Sequence, residues 1–269
     1  MRERAETEAN VTRESRQWEC EAQKKECRPA GDEELARAFV PHLRYDRAEP
    51  FALQGIGYTL FRDSRGEAGG ASGKSPSCSR VLEAPTGGCV IEYAFYYDFD
   101  IQHLYDLEHA FVYLDKDGVI AGVESSFHGK FLNSRIEGVT EFEGSHPVLY
   151  VQPGKHALLP APEYFRLVID RDTACGQNAG RDGFLISDMF RGRLFTDAGF
   201  DRRVEEYIRG RYAFAPTWEF TAKSPDGRSA EELLMPYGEL DGLIVERLGD
   251  WSRRIAMEGS VGRKITFGN

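Results

Sequence analysis

Residues 98–109 read Asp98-Phe-Asp100-Ile-Gln-His103-Leu-Tyr-Asp106-Leu-Glu108-His109. Carboxylates and imidazoles at this density suit metal binding or acid–base work, because both side-chain types ligate cations and exchange protons at accessible pH. Side chains alternate along a strand, so Asp106 and Glu108 point to one face and His109 to the other, beside Phe111 and Tyr113. Two carboxylates side by side repel each other unless a cation or a shared proton relieves them. His103, just upstream, can reach the same spot. Asp100 or Asp98 can approach from the end of the preceding strand. Three carboxylates with one imidazole suit a divalent cation: Ca²⁺, Mg²⁺, Mn²⁺ or Zn²⁺. The same spacing also suits the plain polar face of an edge strand, with His103 as a loop residue.

The hairpin that follows decides what faces the acids. If Lys116-Asp117-Gly118 is a three-residue loop with Gly118 left-handed, Asp115 pairs with Val119. Glu108 then lies opposite Ser126 and Asp106 opposite His128, on one face. A two- or four-residue loop would send His128 to the other side. The glycine at the third loop position favours the first case.

Other patterns carry less chemistry. Ala68 to Ser75, AGGASGKS, fits a loose phosphate-loop pattern, but Pro76 follows at once and the surroundings are β, so a flexible loop is expected. No G-x-S-x-G elbow is present. Arg202, Arg203, Arg209 and Arg211 interleave with Glu205 and Glu206, as on a solvated helix face. The five cysteines, at 20, 27, 78, 89 and 175, form no C-x-x-C pair. Cys20 and Cys27 share a helix-like face, and Cys78 and Cys89 flank a Pro/Gly loop and could bridge. Free thiols in a reducing compartment are the expectation, which an odd count fits.

The elements that must position these groups are mostly β. Strands are expected at 55–62, 90–97, 106–114, 119–128, 147–152 and 164–170, from aromatic and β-branched runs bounded by turns. A short helix is expected over 33–39, capped by Asp32 and ended by Pro41. Helical spacing returns at 200–212, with Phe200, Val204, Tyr207 and Ile208 on one face. It returns again at 239–257, with Leu240, Leu243, Ile244 and Leu248 inward. The fold expected is α+β, mostly β: an antiparallel β-sandwich with helices appended in the C-terminal third. Residues 1–30 read as a charged helix or tail, and 31–269 as a single domain with its core motif at 90–157.

The net charge of −10 in 269 residues argues against a nucleic-acid binder, which needs excess Lys and Arg. No apolar run approaches the ~20 residues of a membrane span. The first residues, MRERAETEAN, lack the apolar core of a signal peptide. A cytoplasmic location is expected from the chain as written, or a secreted one if a signal segment has been removed.

The stretch 95–109, FYYDFDIQHLYDLEH, resembles the core motif of the necrosis- and ethylene-inducing-peptide-like cytolysins and of the related vacuolar-sorting-associated domain of fungi and plants. In the cytolysins a W-Y-x-P-x-D strand leads to G-H-R-H-D-W-E. Phe95, Tyr96 and Asp100 match the first element; His103, Asp106 and Glu108 match the His, Asp and Glu of the second. Ser126-Phe127-His128-Gly129 is similar to the family's S-A-H-G. PVLYVQPGKHA (147–157) is similar to the apolar strand and G-S-H-A of the sorting-associated branch, which places His156. The resemblance implies a β-sandwich with a divalent cation in a surface pocket, and in the cytolysins that pocket docks glycosylated sphingolipid headgroups. The heptapeptide's Gly, Arg, second His and Trp are here Gln102, Leu104, Tyr105 and Leu107. With the acidic net charge and no signal peptide, these departures imply a protein that does not lyse membranes.

The expectation is therefore a metal-binding β-sandwich that recognises a polar ligand, a glycan or lipid headgroup. Asp100, His103, Asp106 and Glu108 would hold the ion, and Asp98, His128 and His156 would contact the ligand. The alternative is a metal-dependent hydrolase of phosphoesters or glycosides using the same pocket, with the ion activating water. A third reading is a structural ion in an interaction module.

Overall fold

A computed structural model of the chain describes residues 31–62, 72–185, 190, 193 and 195–261. The expected tail, 1–30, with Cys20 and Cys27, and most of the glycine-rich loop lie outside the described residues. In chain order the elements are α1 (Asp32–Phe39), β1 (His42–Asp46), β2 (Leu53–Arg62), β3 (Ser72–Lys74), β4 (Val81–Glu83), β5 (Cys89–Phe99), β6 (His103–Leu114), β7 (Ile120–Phe127) and β8 (Lys130–Asn133). Then come β9 (Phe142–Glu143), β10 (His146–Val151), β11 (Leu158–Leu159), a 3₁₀ helix (Pro162–Leu167), β12 (Gly183–Phe184), α2 (Ala198–Tyr212), β13 (Phe220–Thr221), β14 (Leu234–Pro236) and α3 (Tyr237–Val261).

Two sheets carry the molecule. The larger runs β14-β2-β5-β6-β7-β8, antiparallel along β2 to β8, with β12 added parallel to β6. The smaller runs β11-β10-β1-β13, with β9 beside β10. β5 sits at the centre of the larger sheet and is buried over its whole length, which is why it reads as a continuous apolar run rather than an alternation. On one face, Tyr93 donates from its hydroxyl to the Ala36 carbonyl of α1, and Tyr97 meets residues from the smaller sheet. On the other face, α3 lies across β2 and β5.

The C-terminal helices are thus more than appendages. Leu240, Ile244 and Leu248 are fully buried, and α3 can approach because β2 presents Gly55 and Gly57 to it. A Cβ on Gly57 would stand 2.7 Å from Leu240 Cδ2 and 3.0 Å from the Tyr237 ring. The β3–β4 hairpin covers the rest of that face through Leu82 and Ala84 against Val90 and Phe111.

Several local expectations change. Asp32 is the first residue of α1 rather than its cap; Gly31 precedes it in extended conformation, and Asp32 pairs with Arg62. Residues 164–170 form no strand. Pro162 starts a 3₁₀ helix instead, burying Phe165 while Leu167 and Ile169 face water; a fixed proline φ suits the first turn of a helix. Cys78, Cys89 and Cys175 are free thiols, so the Cys78–Cys89 bridge does not form. After Ser72–Lys74, no helix follows, so the described part of the phosphate-loop pattern has no phosphate-binding geometry. Among the described residues no helix is long and apolar enough to cross a membrane.

The close approach of α3 gives a measurable consequence. Gly57→Ala should lower stability by about 1–3 kcal/mol through overpacking. Combined with Leu240→Ala, the loss should be smaller than the sum of the single losses in denaturant unfolding, because the two changes share one contact.

Candidate functional site

β6 changes neighbours halfway along. Its C-terminal half pairs with β7, but that ladder begins only at Ala110–Ser125. Below it, His103 and Leu104 pair with β12. Between these two pairings β6 has a gap on that side, and a cavity of about 570 Å³ opens there. Asp100, His103, Asp106, Glu108, His128 and Lys155 line it, with Ser77, Cys78 and His109 also in its wall.

The β6–β7 turn forms as its residues predict. Asp115 N–H donates to the Val119 carbonyl, and Gly118 has φ +75°. The register then slips. Leu114 pairs with Ile120 but Tyr113 with Gly122, so Ala121 is an extra residue in β7. A bulge moves every later pairing by one, and Asp106 does not come to lie opposite His128. Ser126 still reaches Glu108, its hydroxyl donating to the carboxyl while accepting from the His109 N–H at 2.6 Å.

The acids are not alone in the cavity. Asp100 Oδ2 lies 2.6 Å from Lys155 Nζ and 3.7 Å from His103 Nε2. Its Oδ1 accepts from the Gln102 N–H. Burial would raise the Asp100 carboxyl, but His103 and Lys155 outweigh it and hold the carboxyl below its usual value. His103 is itself fixed by an Nδ1–H bond to the Tyr105 carbonyl, 2.7 Å. Tyr105 has φ +75°, a strained conformation for a bulky residue, at the point where β6 turns into the site.

Asp106 Oδ2 accepts from His156 Nδ1 at 2.9 Å, and His156 Nε2 is 3.5 Å from Glu49 Oε1. The imidazole is wholly buried and stacks on Tyr97, with centroids 3.8 Å apart and planes at 7°. Burial opposes its charge, but Asp106 and Glu49 overcome that and raise it to about 10. It is an imidazolium at neutral pH. Glu108 is pushed well above the carboxylate range, first by burial and then by the charge of Asp106. The repulsion anticipated between the two acids is part of what raises Glu108.

The structure brings Asp100, His103, Asp106, Glu108 and His128 to one cavity. The four residues expected to ligate an ion do not converge on one point as they stand. Among the described residues, the sets whose ligand atoms all lie within 4.8 Å are His42–His146–Glu231 and Cys78–Glu92–His109. His156 is placed behind Asp106, not at the rim. Asp98 is elsewhere: it points to the helical face, where Arg247 of α3 donates to it at 2.7 Å and Tyr96 at 3.0 Å. His128 reaches the cavity by another route, its Nε2 2.9 Å from Gln152 Oε1.

Sequence pattern does not mark Lys155, Glu49 or Gln102 as site residues. Lys155 had a signal, since it precedes His156 in the P-G-K-H-A turn. In that turn Gly154 has φ +67°, and a Cβ there would stand 2.9 Å from Ile101. The Gly154 N–H donates to Glu49 Oε2 at 2.7 Å. The tight turn therefore sends Lys155 to Asp100 and His156 to Asp106.

No protein-family model matches the chain, and no curated protein matches it. Among solved structures it is similar to necrosis and ethylene inducing protein 2 from the causal agent of cocoa's witches' broom disease, at 20% identity over 61% of this chain and 90% of that one, TM-score 0.34. It is also similar to NLPPya in complex with glucosamine, at 21% identity over 48% and 67%, TM-score 0.32. NLPPya in complex with mannosamine gives 22% identity over 48% and 68%, TM-score 0.30.

Removing the buried imidazolium should be costly. His156→Gln, measured in chelator, should lose about 3–5 kcal/mol at neutral pH, because Asp106 and Glu49 are left without their cation. A group whose folded value is raised stabilises fully below its unfolded value and loses that effect above its folded one. The gap between wild type and variant should therefore be widest below about pH 6.5 and close as pH rises toward about 10. A gap that widens with pH would contradict the assignment.

Proposed function

We propose that this cavity binds a divalent cation and uses it to recognise a polar ligand, a glycan or lipid headgroup. The observation that supports the reading is the placement of Asp106 and Glu108 side by side in the cavity wall, with His156 already engaged by Asp106 and Glu49. Two adjacent carboxyls in a water-accessible cavity are a favourable place for a hard cation, which would relieve their mutual repulsion. His103 adds a nitrogen donor close by. Asp100 would join only by releasing Lys155.

The rest of the wall suits a ligand rich in hydroxyls or phosphate oxygens. Lys155 Nζ donates to Asp100 and to Gln102 Oε1, which leaves the third of its N–H groups for a ligand. His128, held by Gln152, lines the same space. When bound, the cation would polarise or bridge ligand oxygens, while these side chains fix the ligand's orientation.

The variant that tests this is Glu108→Gln, which keeps a group able to accept from Ser126 and removes the charge. Wild type should gain about 2.7 kcal/mol of stability in Mg²⁺ or Mn²⁺ at a hundred times Kd. Glu108→Gln should lose that gain with little change in chelator, and His109→Gln, on the opposite face of β6, should keep it. A full gain in Glu108→Gln places the ion elsewhere. A glycan array read with and without chelator then tests the ligand: chelator-insensitive binding removes the cation from recognition. Turnover of a phosphoester or glycoside in saturating metal would move the reading to a hydrolase.

A further inference from the structure

The opposite face of β6 carries a second cluster. Glu92 of β5 pairs with Phe111, and His109 of β6 pairs with Ala94, so the two side chains are diagonal neighbours on one face. The loop between β3 and β4 lays Ser75, Ser77 and Cys78 over them. Ser75 and Ser77 both donate to Glu92 Oε1, Ser75 at 2.5 Å. Ser77 Oγ is also 2.9 Å from His109 Nε2. Cys78 Sγ stands 4.0 Å from Glu92 Oε1.

The second carboxyl oxygen of Glu92 has no partner. Glu92 is 1% exposed, and its Oε2 is buried with no hydrogen-bond partner. A buried carboxyl oxygen without a partner is costly. Arg80, the nearby cation, donates from Nη2 to Glu124 and lies over the rings of Phe111 and Phe131, and its buried Nη1 makes no hydrogen bond to Glu92. A sulfur, a carboxylate oxygen and a ring nitrogen all lie within 4.8 Å of one another at this place. Ser77, Cys78 and His109 also form part of the wall of the large cavity, so solvent has a way in.

We propose that Cys78, Glu92 and His109 form a zinc(II) site with its fourth position open to the cavity. Thiolate, imidazole and carboxylate together select zinc over the hard cations that suit Asp106 and Glu108. Tetrahedral ligation places ligand atoms about 3.3–3.8 Å apart, from bonds of about 2.0–2.3 Å, so the three groups close up by about 1 Å. The Ser77 hydroxyl, which now bridges imidazole and carboxylate, turns aside, and Ser75 keeps its hold on Glu92 Oε1. Binding releases the thiol proton through the cavity to solvent. The site is independent of the cation proposed between Asp106 and Glu108, although one ligand in the cavity could touch both.

Cobalt(II) tests this directly, because a cobalt–thiolate bond gives a charge-transfer absorption in the near ultraviolet. The full chain, stripped with chelator and titrated with Co²⁺, should show that band. Cys78→Ser should abolish it and lower the zinc retained after gel filtration by one equivalent per chain. Glu92→Gln and His109→Gln should weaken retention at least tenfold, and Glu108→Gln should leave the band intact. Absence of the band in wild type, or its full persistence in Cys78→Ser with another cysteine as the ligand, would overturn the proposal. Cys78 is only partly buried and serine is nearly isosteric, so an unchanged metal-free melting temperature shows that the variant folds. Loss of the Mg²⁺ response alone would concern the acidic site and not this one.

Discussion

A buried imidazolium holds the two sheets and the candidate site in one arrangement. His156 leaves the smaller sheet, stacks on Tyr97 of the larger one, and lies between Asp106 and Glu49. A charge taken out of water is unfavourable unless its partners are close and well aligned. Two carboxylates from different parts of the chain meet that condition here. The same turn that delivers His156 also delivers Lys155 to Asp100. The electrostatic state of the cavity is therefore set by how the smaller sheet docks.

Two irregularities of β6 and β7 make the cavity possible. Tyr105 takes a left-handed conformation, and Ala121 adds a residue to β7. Between them β6 loses its neighbour on one side, and Asp106 and Glu108 are exposed to a space that a regular ladder would have filled. Strain and bulges of this kind persist where the surrounding structure over-determines them. Here β5 on one side and β12 on the other supply that support.

β6 also separates two kinds of chemistry by the pleat alone. Asp106 and Glu108 offer hard oxygen donors on one face. His109, with Glu92 and Cys78, offers a mixed nitrogen, oxygen and sulfur set on the other. Asp106 and Glu108 line the cavity from one face, and His109 and Cys78 reach its wall from the other.

The sequence by itself determined whatever depends on near neighbours. Aromatic and β-branched runs bounded by turns placed the long strands, 3.6-residue spacing placed α2 and α3, and Gly118 specified its turn. The sharing of a face by Asp106 and Glu108 followed from the same pleat. The run 164–170 misled because its apolar residues suggested a strand, whereas Pro162 starts a 3₁₀ helix and two of those residues face water. Tertiary structure alone decided the charge partners. Asp98 meets Arg247 from 149 residues away, and His156 meets Asp106 from 50 residues away. Local pattern fixes which way a side chain points relative to its own strand, since that is backbone geometry. What it meets there depends on which sheet or helix docks opposite, and that docking is settled by packing across the whole chain.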